Sequence, residues 1–420
     1  MPRRVRRPIA GHGQLQRPRA GVEVLKLLGI ASVVVLISAL SVVGYVLYDL
    51  SHTFTTKAVA LDGEESVPPD LGAIEGGVNM LLVGSDVCEE DFKAQFGDRC
   101  SDPESGGERN DTNLVLHISD SPRRVTVITF PRDLMIPIPS CVDSDGNDTG
   151  DRAKEPLNDA IGIGGPKNGL ACVHRAISSI SGLDIQFAAK VTWGGVMRIT
   201  DAIGGVDICV AGRISDPENT GLDLGPGTHT LQGYEALQFL RVRHGVGDES
   251  DLSRGSNQQV YMSSLVRKMT SSQVFGNPGV LLKLANTVMS NVTPSSTLTS
   301  PTLLVQIALA MKDVPLDQVN FVNYPVFDDP DNPGVKVIPD HVSADQLWAA
   351  LAANQPIQVA GQRDAVVSET PVPTDPASGD AAATDPATPD PGTTSAPVEL
   401  PSNVSGQSAA QPTCSRGNGG

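Results

Sequence analysis

The chain has 420 residues, enough for two or three average domains or for one large domain with appendages. Its 48 acidic residues outnumber its 31 basic ones, a formal net charge of −17 that excludes a general nucleic-acid binder. The basic residues are unevenly spread: the first 26 positions hold Arg3, Arg4, Arg6, Arg7, Arg17, Arg19 and Lys26 against one acid, Glu23.

The run that follows, Leu27 to Leu47, carries no charge. A bilayer core needs about 20 apolar residues of helix, whereas the apolar middle of a cleaved signal spans about 7–15. The run therefore predicts an uncleaved signal-anchor, a transmembrane helix over 27–48. By the positive-inside rule the basic segment 1–26 stays cytoplasmic. The expected product is a single-pass plasma-membrane protein whose C-terminal domain is extracellular.

Residues 49–76 mix acids, Gly and Pro and predict an extracellular linker. Residues 77–355 then alternate short β-type runs with helical patterns. "VNMLLVGSD" predicts a buried strand, and "TNLVLHIS" and "RRVTVITF" predict an antiparallel hairpin turning at "DSPR". "GLACVHRAISSISG" has helical periodicity and stops at Gly182. "IQFAAKVT" reads as a strand, "WGGVMRITDAIGG" as a helix and "VDICV" as a strand. "LQGYEALQFLRVR" and "DLSRGSNQQVYMSSLVRKMTSS" read as helices. Interleaved strands and helices predict an α/β fold, a layered α-β-α domain with a central mixed β-sheet. Residues 356–420, rich in Pro, Thr, Ala and Asp, are too poor in large apolar side chains to offset ordering entropy, and predict a disordered tail.

Six cysteines form no C-x-x-C pair, and no histidine stands at ligand spacing, so zinc is a poor reading. An oxidising exterior permits disulfides, and two are predicted, Cys88–Cys100 and Cys141–Cys172. Cys209, in an apolar strand, predicts a buried free thiol, and Cys414 is left unassigned. His117, inside an apolar strand, predicts a hydrogen-bonded core residue.

Charged residues recur where these elements stop. Asp86 follows the first strand, Arg109 and Asp111 open the second, and Arg132 and Asp133 close the third. Arg241 and Arg243 end one helix, while Asp251 and Arg254 begin the next. Each alone has an ordinary explanation: an Arg near a helix C-terminus suits the dipole, and a Pro-Arg-Asp turn is commonly an ion pair. Together they fit one rim of the sheet, where ligands of open α/β sheets bind.

In order, GSD, RxDT, PRD, GGVD, RxR and DxxRxxxQQ resemble the LytR-CpsA-Psr family, over about Asn79 to Lys268. "NMLLVGSD", "ITFPRDLMIPIP", "ITDAIGGVDICV", "LGPGTHTLQGYEALQFLRVRH" and "DLSRGSNQQ" carry the resemblance. It implies an enzyme that moves a glycopolymer from a polyprenyl-pyrophosphate carrier onto peptidoglycan, with the membrane and these two substrates as partners. It further implies Mg2+ held by Asp86 and Asp111, and a pyrophosphate surrounded by Arg109, Arg132, Arg241, Arg243 and Arg254. Asp251 and Gln258 match supporting polar positions. Arg132, Asp133 and Arg109 are the residues expected to carry catalysis, with Asp133 either orienting an arginine or accepting a proton. Two positions depart from the family pattern: Pro156 stands where a Lys is common, with Lys154 as a potential substitute, and Asn257 stands where an Arg is common.

The residue types suit that chemistry. Planar guanidinium groups pair two phosphate oxygens at once. Magnesium takes one or two carboxylates and completes its shell with water and phosphate. Phosphoryl transfer depends on positioning and charge neutralisation. The same residues would also serve a non-catalytic polyprenyl-phosphate-binding scaffold or regulator of wall assembly, or a polyprenyl-pyrophosphate phosphohydrolase.

Overall fold

The computed structural model describes residues 20–61, 77–96, 100, 107–312, 314–359, 365–368 and 397–418. Most of the expected basic segment, linker and tail lies outside the described residues. The chain divides into two compact units, residues 1–50 and 51–420. The first contains most of helix α1, Ala20–Thr56, which covers the uncharged run and exposes Leu25, Val35 and Ile37. Among the described residues no helix is long and apolar enough to cross a membrane.

The second unit opens with three strands, β1 (Val78–Ser85), β2 (Asn110–Ile118) and β3 (Val125–Phe130). They read as nearly continuous apolar runs because both faces of the sheet are covered. Helix α2, Ala160–Ser181, stops where Gly182 turns left-handed (φ 65°), a conformation glycine adopts without steric cost. Strand β4 (Phe187–Thr192) leads into α3 (Trp193–Ala202), whose N-cap Thr192 accepts a hydrogen bond from the Gly195 N–H. Strands β5 (Val206–Gly212) and β6 (Gly227–Leu231) follow, then helices α4 (Gly233–Arg241), α5 (Asp251–Thr270) and α6 (Pro278–Asn291). Later elements that build the two sheets and their cover are β7 (Val292–Pro294), α7 (Pro301–Lys312), β8 (Val319–Asn323), α8 (His341–Ala352), β9 (Val366–Ser368), β10 (Gly406–Ser408) and β11 (Thr413–Arg416).

The main sheet runs β7-β4-β1-β2-β3-β8-β10. It is mixed: β1–β4 and β3–β8 are parallel, the other pairs antiparallel. Side chains alternate between its faces with the period of two that a strand imposes. Leu81 and Val83 pack with Val173 and Ile177 of α2 and Leu347 of α8. Val78 and Met80 pack on the opposite side with Leu303 and Ile307 of α7. The α-β-α layering is therefore present. A second sheet, β6-β5-β11-β9, has a core of its own, in which Ile208 and Val210 meet Phe239 of α4 and Val260 of α5.

Two expectations are corrected here. Residues 397–418 fall within the segment expected to be a disordered tail, yet β10 completes the main sheet and β11 joins the second. Val398–Glu399 also pairs with Ile357–Gln358. Backbone ladders and a covalent link order this stretch, which apolar side chains alone would not do. That link corrects the second expectation: Cys209 is not a free thiol but is bonded to Cys414. Cys88–Cys100 and Cys141–Cys172 are also bonded.

The Cys209–Cys414 bridge spans 205 residues and ties β11 to β5. Replacing both cysteines by serine should lower stability by about 2–5 kcal/mol in chemical denaturation, since the long loop enlarges the unfolded ensemble. An unchanged midpoint and slope would contradict a structural role.

Candidate active site

The rim where β1 and β3 end and β2 begins carries most of the expected charges. The β1–β2 register slips between Gly84 and Ser85: Gly84 faces Thr112 while Ser85 faces Asn110, leaving Asp111 as the extra residue. Such a bulge re-aims a side chain. It also breaks the simple alternation that would point Arg109 and Asp111 the same way. Asp111 turns to Arg132, whereas the half-exposed Arg109 guanidinium pairs with Asp159 at 3.0 Å. The backbone N–H of Arg109 donates to Asp86 Oδ1 at 2.7 Å, and Asp86 is buried.

The Pro-Arg-Asp turn is fixed by its backbone. The carbonyls of Arg132 and Asp133 accept hydrogen bonds from Asn158 and Val337. Arg132 then reaches three carboxylates: Nη1 lies 3.0 Å from Asp111, and Nε lies 3.4 Å from Asp133 and 3.2 Å from Asp251. Burial works against its charge, but Asp251, Asp111 and Asp133 outweigh it and raise the Arg132 pKa above its ordinary value.

Helix α5 is capped by Ser250, whose Oγ accepts from the Ser253 N–H, so Asp251 occupies the first turn, where the helix dipole favours an anion. Arg254, one turn later, is buried and lies 2.7 Å from Asp251 Oδ1. Burial pushes its pKa down, with Asp251 opposing. Among the described residues, Asp251 Oδ1 is thus in ionic contact with two arginines without a well-aligned hydrogen bond, and Arg254 Nε meets no hydrogen-bond partner. Gln258, a further turn on, donates to the Leu240 carbonyl and ties α5 to the end of α4. There Arg241 lies over the Trp193 ring at 3.9 Å, and Arg243 Nε donates to the Glu249 carbonyl.

An open cavity of about 170 Å3 is lined by Asp111, Arg132, Arg241, Arg243, Arg254 and His244, together with Asp216, Asn219 and Thr220. A smaller recess beside it shares Asp111, Arg132 and Arg254 and adds Asp251 and Gln258. Four guanidinium groups against two carboxylates give the larger cavity an excess of positive charge within a chain of net charge −17. Neither recess is lined by Arg109 or Asp86. His117 bonds Asn79 within the core, and burial lowers its pKa against the pull of Asp120.

Asp133 and Lys336 revise the expected roles. Lys336 Nζ sits 2.5 Å from Asp133 Oδ1, a cation that no motif flagged. Burial alone would raise the Asp133 pKa, but the Lys336 bond and the Arg132 and Lys336 charges outweigh it and hold it below the ordinary carboxylate value. Held between Arg132 and Lys336, the Asp133 carboxylate is placed to orient the Arg132 guanidinium. Lys154, the potential substitute for the lysine missing at Pro156, pairs with Asp329 and Asp331 and lines neither recess. Asn257, where the family pattern favours Arg, is buried between the Phe239 carbonyl and Ser415 of β11. Asp216, Asn219, Thr220 and Lys336 had no sequence signal beyond being polar.

The Asp133 shift has a testable sign. A carboxyl depressed in the fold contributes stability that is present above its unfolded pKa and is lost as pH falls through the lower folded pKa. The stability gap between wild type and Asp133→Asn, from urea unfolding, should stay level near neutrality and shrink below about pH 4. A gap that persists undiminished to about pH 2 would contradict the assignment.

Two curated relatives share this sequence at moderate identity. Cell wall biosynthesis protein LcpA of Corynebacterium glutamicum is 28% identical over 283 residues, 63% of this chain and 53% of LcpA. Polyisoprenyl-teichoic acid–peptidoglycan teichoic acid transferase TagU of Oceanobacillus iheyensis is 26% identical over 222 residues, 51% of this chain and 59% of TagU. The chain thus spans little more than half the length of these relatives. The solved structure of a LytR-Csp2A-Psr enzyme from Actinomyces oris superposes with a TM-score of 0.51 at 22% identity, covering 70% of this chain and 96% of that one, which shows a shared fold. The LytR_cpsA_psr family model matches residues 45–353, well over half of the sequence, and the chain belongs to the LytR-CpsA-Psr family.

Proposed function

We propose that this chain is a membrane-anchored phosphotransferase that moves a glycopolymer from a polyprenyl-pyrophosphate carrier onto peptidoglycan. The observation that carries the proposal is the arginine-lined cavity, with Asp111 and Arg132 in its lining. Family membership and the likeness to the cell wall biosynthesis protein LcpA and the teichoic acid transferase TagU support a role in cell-wall assembly. The uncharged run within α1, with basic residues before it, supports the anchor and an extracellular C-terminal unit.

In this reading Arg132, Arg241, Arg243 and Arg254 bind the pyrophosphate and neutralise charge that grows on the leaving phosphate. A peptidoglycan hydroxyl attacks the phosphorus that bears the glycopolymer. The bond from that phosphorus to the bridging oxygen breaks, its electron pair departs with polyprenyl phosphate, and the hydroxyl proton is lost to the departing phosphate or to water. Asp133 and Lys336 hold Arg132 in place. In this reading Asp86 and Asp111 would hold Mg2+. Asp86 and Asp111 stand at the ends of adjacent strands, and two carboxylates match what magnesium draws from a protein when phosphate and water complete its shell. When bound, the ion would screen the pyrophosphate oxygens.

The test is phosphate release from a short isoprenoid pyrophosphate by the purified chain, with and without Mg2+. Turnover that depends on Mg2+ and falls with Asp111→Asn is expected. Tight binding without turnover would instead indicate the scaffold.

A further inference from the structure

Helix α6 is unusual for a surface helix. None of its residues is buried. Val280, Leu281 and Leu284 on its inner side pack partly against the second-sheet core. Its outer side repeats apolar residues at helical spacing, Leu282, Ala285 and Met289, and the turn before it exposes Phe275. Leu282 is 60% and Phe275 37% exposed. A helix apolar on both sides is ordinarily covered by something.

Two observations indicate what covers it. Between Asp251 and Asp313 the sequence contains no acidic residue, in a chain that has 48 among 420 positions, while Lys283 adds a cation beside Leu282. The far end of α6 is also joined to the chain that leaves α1: Lys57 Nζ donates to the Ser290 carbonyl at 2.6 Å, and the Val59 N–H to the Pro294 carbonyl at 2.9 Å. Lys57 stands only ten positions after Leu47, the last residue of the uncharged run.

We infer that the outer side of α6, with Phe275, rests on the surface of a lipid bilayer containing anionic headgroups. The apolar stripe would enter the headgroup boundary while Lys283 and Lys57 meet the lipid phosphates, as in interfacial amphipathic helices. The inference rests on the anchor reading of α1. Its effect would be to hold the arginine cavity at a set height and orientation above the membrane from which a lipid-linked substrate arrives.

The experiment places the full chain in nanodiscs and introduces a reporter tryptophan as Leu282→Trp, with Phe327→Trp, an exposed position outside α6, as the control. The parent signal from Trp193 and Trp348 is subtracted. With brominated phospholipids the tryptophan at 282 should shift to the blue and lose emission, while that at 327 should do neither. The loss should be larger in discs containing phosphatidylglycerol than in phosphatidylcholine alone, and Lys283→Glu should erase that difference. A chain that inserts into nanodiscs but leaves position 282 as unquenched as 327 overturns the inference and spares the anchor. A chain that does not insert overturns both. A blue shift that needs no lipid and grows with protein concentration assigns the face to a second copy and likewise overturns it.

Discussion

Arg132→Ala and Arg132→Lys should both lower isoprenoid-pyrophosphate turnover by roughly a hundred- to a thousandfold, about 2.7–4 kcal/mol of transition-state stabilisation. Alanine removes one of the positive charges that line the cavity. Lysine retains it but loses the planar fork that reaches Asp111 through Nη1 while Nε faces Asp133 and Asp251. A lysine ammonium can occupy one of those positions but not all of them. The carboxylates freed from the guanidinium would then repel the incoming pyrophosphate. Circular dichroism should show both variants folded, because Arg132 lies at the rim and not in an apolar cluster. Near-normal turnover in folded Arg132→Ala would reduce the constellation to ion pairs at strand ends.

The second large effect is on stability. Asp251→Ala should destabilise the fold by about 3–5 kcal/mol, the usual cost of leaving a buried charge without its partner. Arg254 is the charge in question: its side chain is 7% exposed, and Asp251 is its nearest carboxylate. The same substitution leaves Arg132 and Arg254 facing each other across a shared recess. Arg254→Met should cost distinctly less, because an apolar side chain of similar length needs no partner there. Urea unfolding of the two variants gives the comparison. Equal losses, or a larger loss for Arg254→Met, would show that packing and not charge compensation dominates at this position.

The frame of the fold was legible because its central elements are long and strongly patterned. Strands β1 to β3 are buried on both faces, and α2 and α5 carry helical periodicity over many turns. The carboxy-terminal strands were not legible. Gly406, Gln407 and Ser408 present almost no apolar surface, and their place at the sheet edge depends on the ladder to Asn320, Phe321 and Val322. Cys414 was the only local sign that this stretch is held, and a partner 205 residues away cannot be read from spacing. At the site, Arg132, Asp133, Asp251 and Arg254 meet as their positions at element ends imply. Arg109 diverges because one extra residue at Asp111 reverses the facing of its neighbours, and a bulge leaves no mark on a hydrophobic pattern. Lys336 reaches Asp133 from a segment 203 residues later, a contact that only tertiary packing creates.

The central claim is transfer, and the direct measurement follows the glycopolymer itself. Purified full-length protein would be incubated in detergent or nanodiscs with a radiolabelled glycopolymer on a polyprenyl pyrophosphate, together with washed peptidoglycan and Mg2+. Label should become covalently linked to peptidoglycan, with one polyprenyl phosphate released per linkage, and Arg132→Ala should abolish both signals together. Release of free glycopolymer with no label on peptidoglycan, or label that stays on its carrier while the folded wild-type protein binds it, would contradict the account.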